Sequence, residues 1–599
     1  MQLETEYPGE GVDFTLGNRV TAVGRPRFNQ RVGENLLYRP LHIYTLDPSV
    51  SYLQGGVAVV KVPYEPLEPG PIGSLIEVVD SDVGDGPAER LDLDDPRVLI
   101  QNGRLPSPRD RLFRQQMVYA VASLTYAAFQ RALGRQLTWG FTRESDGDFA
   151  RLRIRPHSEE MENAHYRSDT GELCFGYYPA REQVKGRNIP GGKTYTCLSH
   201  DIIVHETSHA LLDGLRSSFQ EGTIPDVDAF HEAFADIVAI FQHFSYYDVV
   251  LAALQESRGN LRSASLLMDI AQQFGHTTGA GGPLRTSIDV TKKRGTPLQY
   301  ATAGREPHAL GTVLVSAIFE AFTTVFERKT ALYIRLATGG TGRLPKGELP
   351  ADLQQILTKT AQTLAKQFLT ICIRAIDYCP PVDIEFGEYL RAVITADHDL
   401  MPDDPWGYRE AWIDAFGQRG IYPPGLDSFS EDSLLWCPPE RTLPTITDLC
   451  FGELRFNGDP GQPASPAEVR RQARALGFVV AQPEWIGEFG CARPNDPKLG
   501  GDAVDPPCIQ SIRTSRRVGQ DGQILFDLVA EVVQRRWIRG TVGQDGSAFY
   551  GGATVIIDPH GRVRYVIRKS VLSETRLKRN RMLSNSVTND LRMEKKVFV

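Results

Sequence analysis

After a polar stretch of about 40 residues, the chain from about 41 to 104 is strand-like and then gives way to helical spacing. His42-Ile43-Tyr44-Thr45-Leu46, Val57-Ala58-Val59-Val60-Lys61-Val62 and Leu75-Ile76-Glu77-Val78-Val79 are short β-type runs, punctuated by Gly55-Gly56 and Pro66-Leu67-Glu68-Pro69-Gly70-Pro71. A helix is predicted from Ser107-Pro108-Arg109-Asp110, with Ser107 as N-cap and Met117, Val121, Leu124 and Ala128 at helical spacing as far as Gly134. Strands return between 149 and 178, where Ala150 to Arg155 alternates and Leu173 to Tyr178 follows a turn at Asp169-Thr170-Gly171. Helical patterns then dominate: 201–215, 228–241, 263–274, 312–326, 353–373, and shorter ones opening at Phe386 and Trp406. Beyond Pro423-Pro424-Gly425 the pattern predicts a helix over 465–476 and a late hairpin, Ala553 to Ile557 and Arg562 to Ile567, around Asp558-Pro559-His560-Gly561. Strands and helices in separate runs make an α+β fold.

Two of these helices carry chemistry. In the first, His205-Glu206-Thr207-Ser208-His209 sets two histidines four residues apart. Four residues are about one turn, so both imidazoles leave the same face and can bind one metal ion, with Glu206 beside them to take a proton from water. Two imidazoles leave a catalytic zinc one protein ligand short of its usual three. The second helix supplies acids at the same spacing, Glu232 and Asp236, among Phe230, Phe234, Ile237, Val238 and Phe241. Acids on a face that is otherwise core need partners. Glu232 as third ligand, and Asp236 accepting the free N–H of a ligating histidine, satisfy both.

This pair of helices resembles the thermolysin-like zinc metallopeptidases (gluzincins), whose second helix carries Asn-Glu-x-x-x-Asp; here His231 stands in the Asn place. The resemblance covers about 105–422. It implies a two-lobed catalytic domain with the zinc cleft between the lobes. A β-rich and zinc-helix lobe would span 41–250 and a helical lobe 251–422, after an amino-terminal arm (1–40) and before an extra C-terminal α/β domain (423–599). It implies that zinc, one ion per chain, sits on His205, His209 and Glu232, with Glu206 as general base. It further implies that Asn163 and Ala164, in Asn163-Ala164-His165-Tyr166, pair with an extended peptide substrate through the backbone. Arg285, in Leu284-Arg285-Thr286, would contact the substrate carbonyl and Asp236, and His308, heading a helix, would donate to the oxyanion.

Departures from the pattern carry expectations too. Phe219 and Gln220 occupy the neighbourhood of the family's Tyr, so oxyanion stabilisation would rest on His308. Ala303 stands where the family's acid orients that histidine, which leaves Glu306 as the substitute. Asp201 matches one calcium ligand of the family but His243 replaces another, so no double calcium site is expected.

Composition narrows the setting. The 599 residues are 41% hydrophobic and 23% charged with a net charge of −8, a balance that disfavours nucleic acid as the main partner. No apolar run stands out as a membrane span, and the first residues lack the basic start and apolar core of a signal peptide, so a cytoplasmic protein is expected. The eight cysteines show no paired spacing, and Cys437, Cys450, Cys491 and Cys508 are expected to be buried thiols. The expected partner is a polypeptide substrate, with the C-terminal region able to cover the cleft or recruit a regulatory protein. Two alternatives to an active endopeptidase remain: a zinc protein without turnover, and a zinc hydrolase acting on another electrophile.

Overall fold

The computed structural model describes residues 13–17, 20, 37–48, 55–80, 89–141, 150–181, 189–220, 223–263, 267, 269–270, 285–286, 297–344, 347–456, 460–518, 523–539 and 547–581. The fold is α+β. Strands β1 (Thr15–Leu16), β2 (Tyr38–Tyr44), β3 (Val57–Pro63) and β4 (Ile76–Val78) come first. The long helix α1 (Arg111–Leu133) follows, and then β5 (Leu152–Arg155), β6 (Ala164–Arg167) and β7 (Glu172–Phe175). Helix α1 begins three residues later than its sequence suggests. Asp110, not Ser107, is the N-cap and accepts from the Leu112 N–H at 3.0 Å, while the Pro108 carbonyl is taken by the Arg114 guanidinium. It ends as expected at Gly134, whose φ of 66° is left-handed.

The sheet in this half runs β4-β5-β7-β6, with β6 antiparallel to β7 at the edge. Amide N–H groups from the β7 side reach the carbonyls of Asn163 (from Gly176, 2.9 Å) and Arg167 (from Gly171, 2.8 Å). By strand alternation the backbones of Ala164 and Tyr166 therefore turn away from β7.

Helices α2 (His200–Leu215) and α3 (Pro225–His243) pack against each other; α2 lies against α1, and α3 meets α1 through Phe234 edge-on to Phe129. Next come two-residue strands β8 (Asp269–Ile270) and β9 (Arg285–Thr286), which pair antiparallel. The helix expected over 263–274 is thus a strand at 269–270, and most of its remaining residues lie outside the described ones. Helices α4 (Pro307–Ala337), α5 (Ala351–Ala375), α6 (Phe386–Leu400) and α7 (Tyr408–Gly417) complete the helical layer. Helix α4 runs eleven residues past the expected end at Phe326. Among the described residues it is the one helix long and apolar enough to cross a membrane, a property the sequence reading did not register, but its most apolar window is 78% buried. It is apolar on most sides because α3, α5 and α7 surround it.

The C-terminal region folds as α8 (Pro466–Val480) on a sheet of β10 (Cys508–Val518), β11 (Ile524–Ile538), β12 (Ser547–Ile557) and β13 (Val563–Lys569). The expected hairpin is β12–β13, with Ile557 opposite Val563. Strand β1 adds to this sheet, parallel to β10, so part of the amino-terminal arm belongs with the C-terminal region. Period-2 alternation assigns the two sheet faces. Leu528, Ala530 and Val532 of β11 and Ala553, Val555 and Ile557 of β12 share a core with Leu476 and Val480 of α8. Val529, Ile556 and Ile567 join the main core formed by α1 to α7.

A buried charge cluster seals that second face. Arg216, the residue that ends α2, is fully buried. Its guanidinium donates to the Ile376 carbonyl and to Thr554 Oγ1 at 2.9 Å, and lies 3.2 Å from Glu531. Arg513 donates to Glu531 and to the Leu215 carbonyl, and Arg135 forks onto Asp377 at 2.6 and 2.7 Å. Burial opposes ionisation of Asp377, but Arg135, Arg513 and Arg216 outweigh it and hold the carboxyl well below the usual carboxylate range. All eight cysteines are free thiols, and of the four in the C-terminal region only Cys491 is buried; Cys437 is exposed.

Candidate metal centre

Helix α2 forms because a good apolar stripe (Ile202, Ile203, Leu211, Leu212, Leu215) meets α1 and α3, burying nearly every residue between Asp201 and Leu215. Helix α3 starts with Pro225 in its first turn and acids Asp226 and Asp228 at its positive end. The two helices run antiparallel, and their polar positions meet in two places.

At the first, His205 Nε2 and His209 Nε2 stand 3.0 Å apart. Glu232 lies 3.3 Å from His205 Nε2 through one oxygen and 3.8 Å from His209 Nε2 through the other. Tetrahedral zinc with bonds of ~2.0–2.1 Å sets its ligand atoms about 3.3–3.4 Å from one another. The three observed separations bracket that figure, so the donor set fits such an ion. The remaining ring nitrogens are held from behind. His205 Nδ1 meets Asp236 Oδ1 at 2.9 Å, which fixes the proton on Nδ1 and leaves the Nε2 lone pair facing Glu232. His209 Nδ1 meets His231 Nδ1 at 2.8 Å, with the two rings stacked at 5.1 Å. Burial pushes the His231 pKa down to about 4, so this ring is neutral and able to accept. Burial raises the Glu232 pKa, yet the imidazoles of His209, His205 and His308 outweigh it and keep the group well below the usual carboxylate range.

Glu206 is buried on α2 beside His205 and outside the three-ligand group. His308, in the first turn of α4, brings Nδ1 to 3.3 Å from Glu232 and is partly exposed. Glu306, expected to orient that ring, caps α4 instead, accepting from the backbone N–H groups of His308 (3.1 Å) and Ala309 (2.6 Å). The edge strand β6 lies alongside α2, tied to it by Tyr166 Oη donating to Asp213 at 2.8 Å, one turn beyond His209. Asn163 and Ala164 thus flank the ligand helix, and the Ala164 N–H meets the Asn163 side chain at 2.8 Å. The backbone of Arg285 pairs with Ile270 in β8–β9, but its side chain lies outside the described residues, as does that of Gln220. Phe219 is buried edge-on against Phe230 and offers no hydroxyl.

Sequence reasoning treated His231 only as a departure from a family pattern. Its Nδ1 meets the outer nitrogen of His209, where it would orient that ring, and the signal available was its place one residue before Glu232. No family model matches the chain, and no curated protein matches it either.

The outer contacts carry a prediction. Asp236→Ala should lower zinc affinity by roughly 10–100-fold, the usual cost of losing such a partner. Calorimetric titration of zinc into the stripped protein reads it directly, and an unchanged affinity would mean that His205 needs no support from Asp236.

Proposed function

We propose that this chain is a zinc-dependent endopeptidase of the thermolysin-like kind, with its active site between a sheet lobe and a helical lobe and the 423–599 region as an addition to that plan. The observation that carries the reading is the convergence of His205, His209 and Glu232, with Glu206 alongside and His308 3.3 Å from Glu232. A bound zinc ion supplies Lewis acidity, acidifying a water and polarising a carbonyl. Glu206 then acts as the base: a carboxylate oxygen takes a proton from the water as its oxygen adds to the carbonyl carbon, and returns that proton to the amide nitrogen as the C–N bond breaks. His308 donates to the carbonyl oxygen as negative charge develops there. Asn163 and the outward-turned backbone of Ala164 hold the peptide in extended form as an added strand.

One observation favours a second reading, a zinc protein without turnover: Phe219, in the neighbourhood of the family's Tyr, is buried against Phe230 and offers no hydroxyl. Digestion of a diverse peptide mixture by the zinc-loaded chain separates the two, with new termini read by mass spectrometry. Internal cuts with a side-chain preference are expected. A mixture left intact by fully zinc-loaded protein would favour the second reading.

A further inference from the structure

The second meeting place of α2 and α3 lies at their other ends. His200 and Asp201 open α2, and His243 closes α3. His243 Nε2 is 2.9 Å and His200 Nδ1 3.6 Å from the same oxygen, Asp201 Oδ1, and the two rings stack at 5.1 Å. The three side chains are buried, 1%, 8% and 4% exposed for His200, Asp201 and His243. None of the imidazole nitrogens facing Asp201 makes a well-aligned hydrogen bond there. Two imidazole nitrogens and a carboxylate oxygen gathered on one buried point are the donor types that a shared metal ion satisfies together. The groups behind them are arranged for that. Tyr246 Oη meets His200 Nε2 at 2.8 Å, and the Thr45 backbone and the Asp47 carboxylate support His243 from the β2 side. In the tautomer that donates from Nε2 to Tyr246 Oη, His200 would present its Nδ1 lone pair to the shared point.

We infer that His200, Asp201 and His243 form a second metal site, for a divalent ion of the zinc class. Two imidazoles and one carboxylate suit such borderline ions, whereas calcium and magnesium take oxygen ligands. All three candidate donor atoms lie within 4.8 Å of one another. With all three side chains buried, the role we assign to the site is mechanical. It clasps the start of the helix that carries His205 and His209 to the end of the helix that carries Glu232. The competing arrangement is a metal-free ion pair between His243 and Asp201.

Metal content decides between them, independently of any catalytic activity. The full chain, stripped and then reloaded with zinc, should retain two equivalents by mass spectrometry of the metal, and Asp201→Asn one. Diffraction from wild-type crystals at the zinc edge should place the second peak at ~2.0–2.2 Å from His200 Nδ1, Asp201 Oδ1 and His243 Nε2. This locates the ion even if Asp201→Asn does not fold. One equivalent in the wild type, or a second ion bound anywhere else, would overturn the inference. The absence of any zinc at His205, His209 and Glu232 would instead count against the proposed active site.

Discussion

Glu206→Gln should hold zinc as tightly as the wild type and cleave peptides roughly 10²–10⁴-fold more slowly, the range for loss of a general base. The amide has the shape of the carboxylate and fits the same buried space, but it accepts no proton at neutral pH. Because Glu206 stands outside the three-ligand group, its loss should leave the metal in place. The effect should therefore fall on kcat with little change in zinc content. A variant that lost both zinc and activity would make Glu206 a ligand rather than a base. A variant that kept full activity would remove it from the reaction.

The second large effect is structural. Glu531→Ala should destabilise the chain by about 3–5 kcal/mol, because it strips the fully buried Arg216 and the half-buried Arg513 of a shared counter-charge. Glu531→Gln should cost less, since its amide oxygen still accepts. The same reasoning bears on the whole C-terminal region. Ending the chain at Ile421 removes Thr554 and Glu531 from Arg216 and uncovers the face of the main core that Val529, Ile556 and Ile567 close. The shortened chain should fail to fold cooperatively in chemical denaturation. If it melted like the full chain and bound zinc equally well, the region would be a detachable accessory. Arg513, Glu531 and Thr554 of this region thus brace the end of the helix that bears His205 and His209, a task that the sequence pattern does not reveal.

What was legible in the sequence was what depends on one helix at a time. Four-residue spacing puts His205 with His209 and Glu232 with Asp236, and no knowledge of packing is needed to see either pair. Contacts between helices were less accessible. The pairing of His209 with His231, and of Asp201 with His243, depends on the antiparallel register of α2 and α3, which spacing within either helix does not reveal. Strands β10 and β11 were missed for a different reason. Charged residues interrupt their apolar alternation, yet Asp527 is paired with Arg517 and Arg564, and Glu531 with Arg513, within the sheet. The end of α4 was misplaced because Glu327, Arg328 and Lys329 interrupt its apolar run, although the helix continues through them toward solvent at Leu332 and Leu336.

The most direct test of the central claim is a zinc titration of turnover. The chain would be stripped of metal and zinc returned stepwise while cleavage of one defined peptide is followed, beside His209→Ala. Activity absent at the start, rising as zinc is bound and never appearing in His209→Ala is the predicted result. Cleavage by the fully stripped protein, or equal cleavage by His209→Ala, would contradict it.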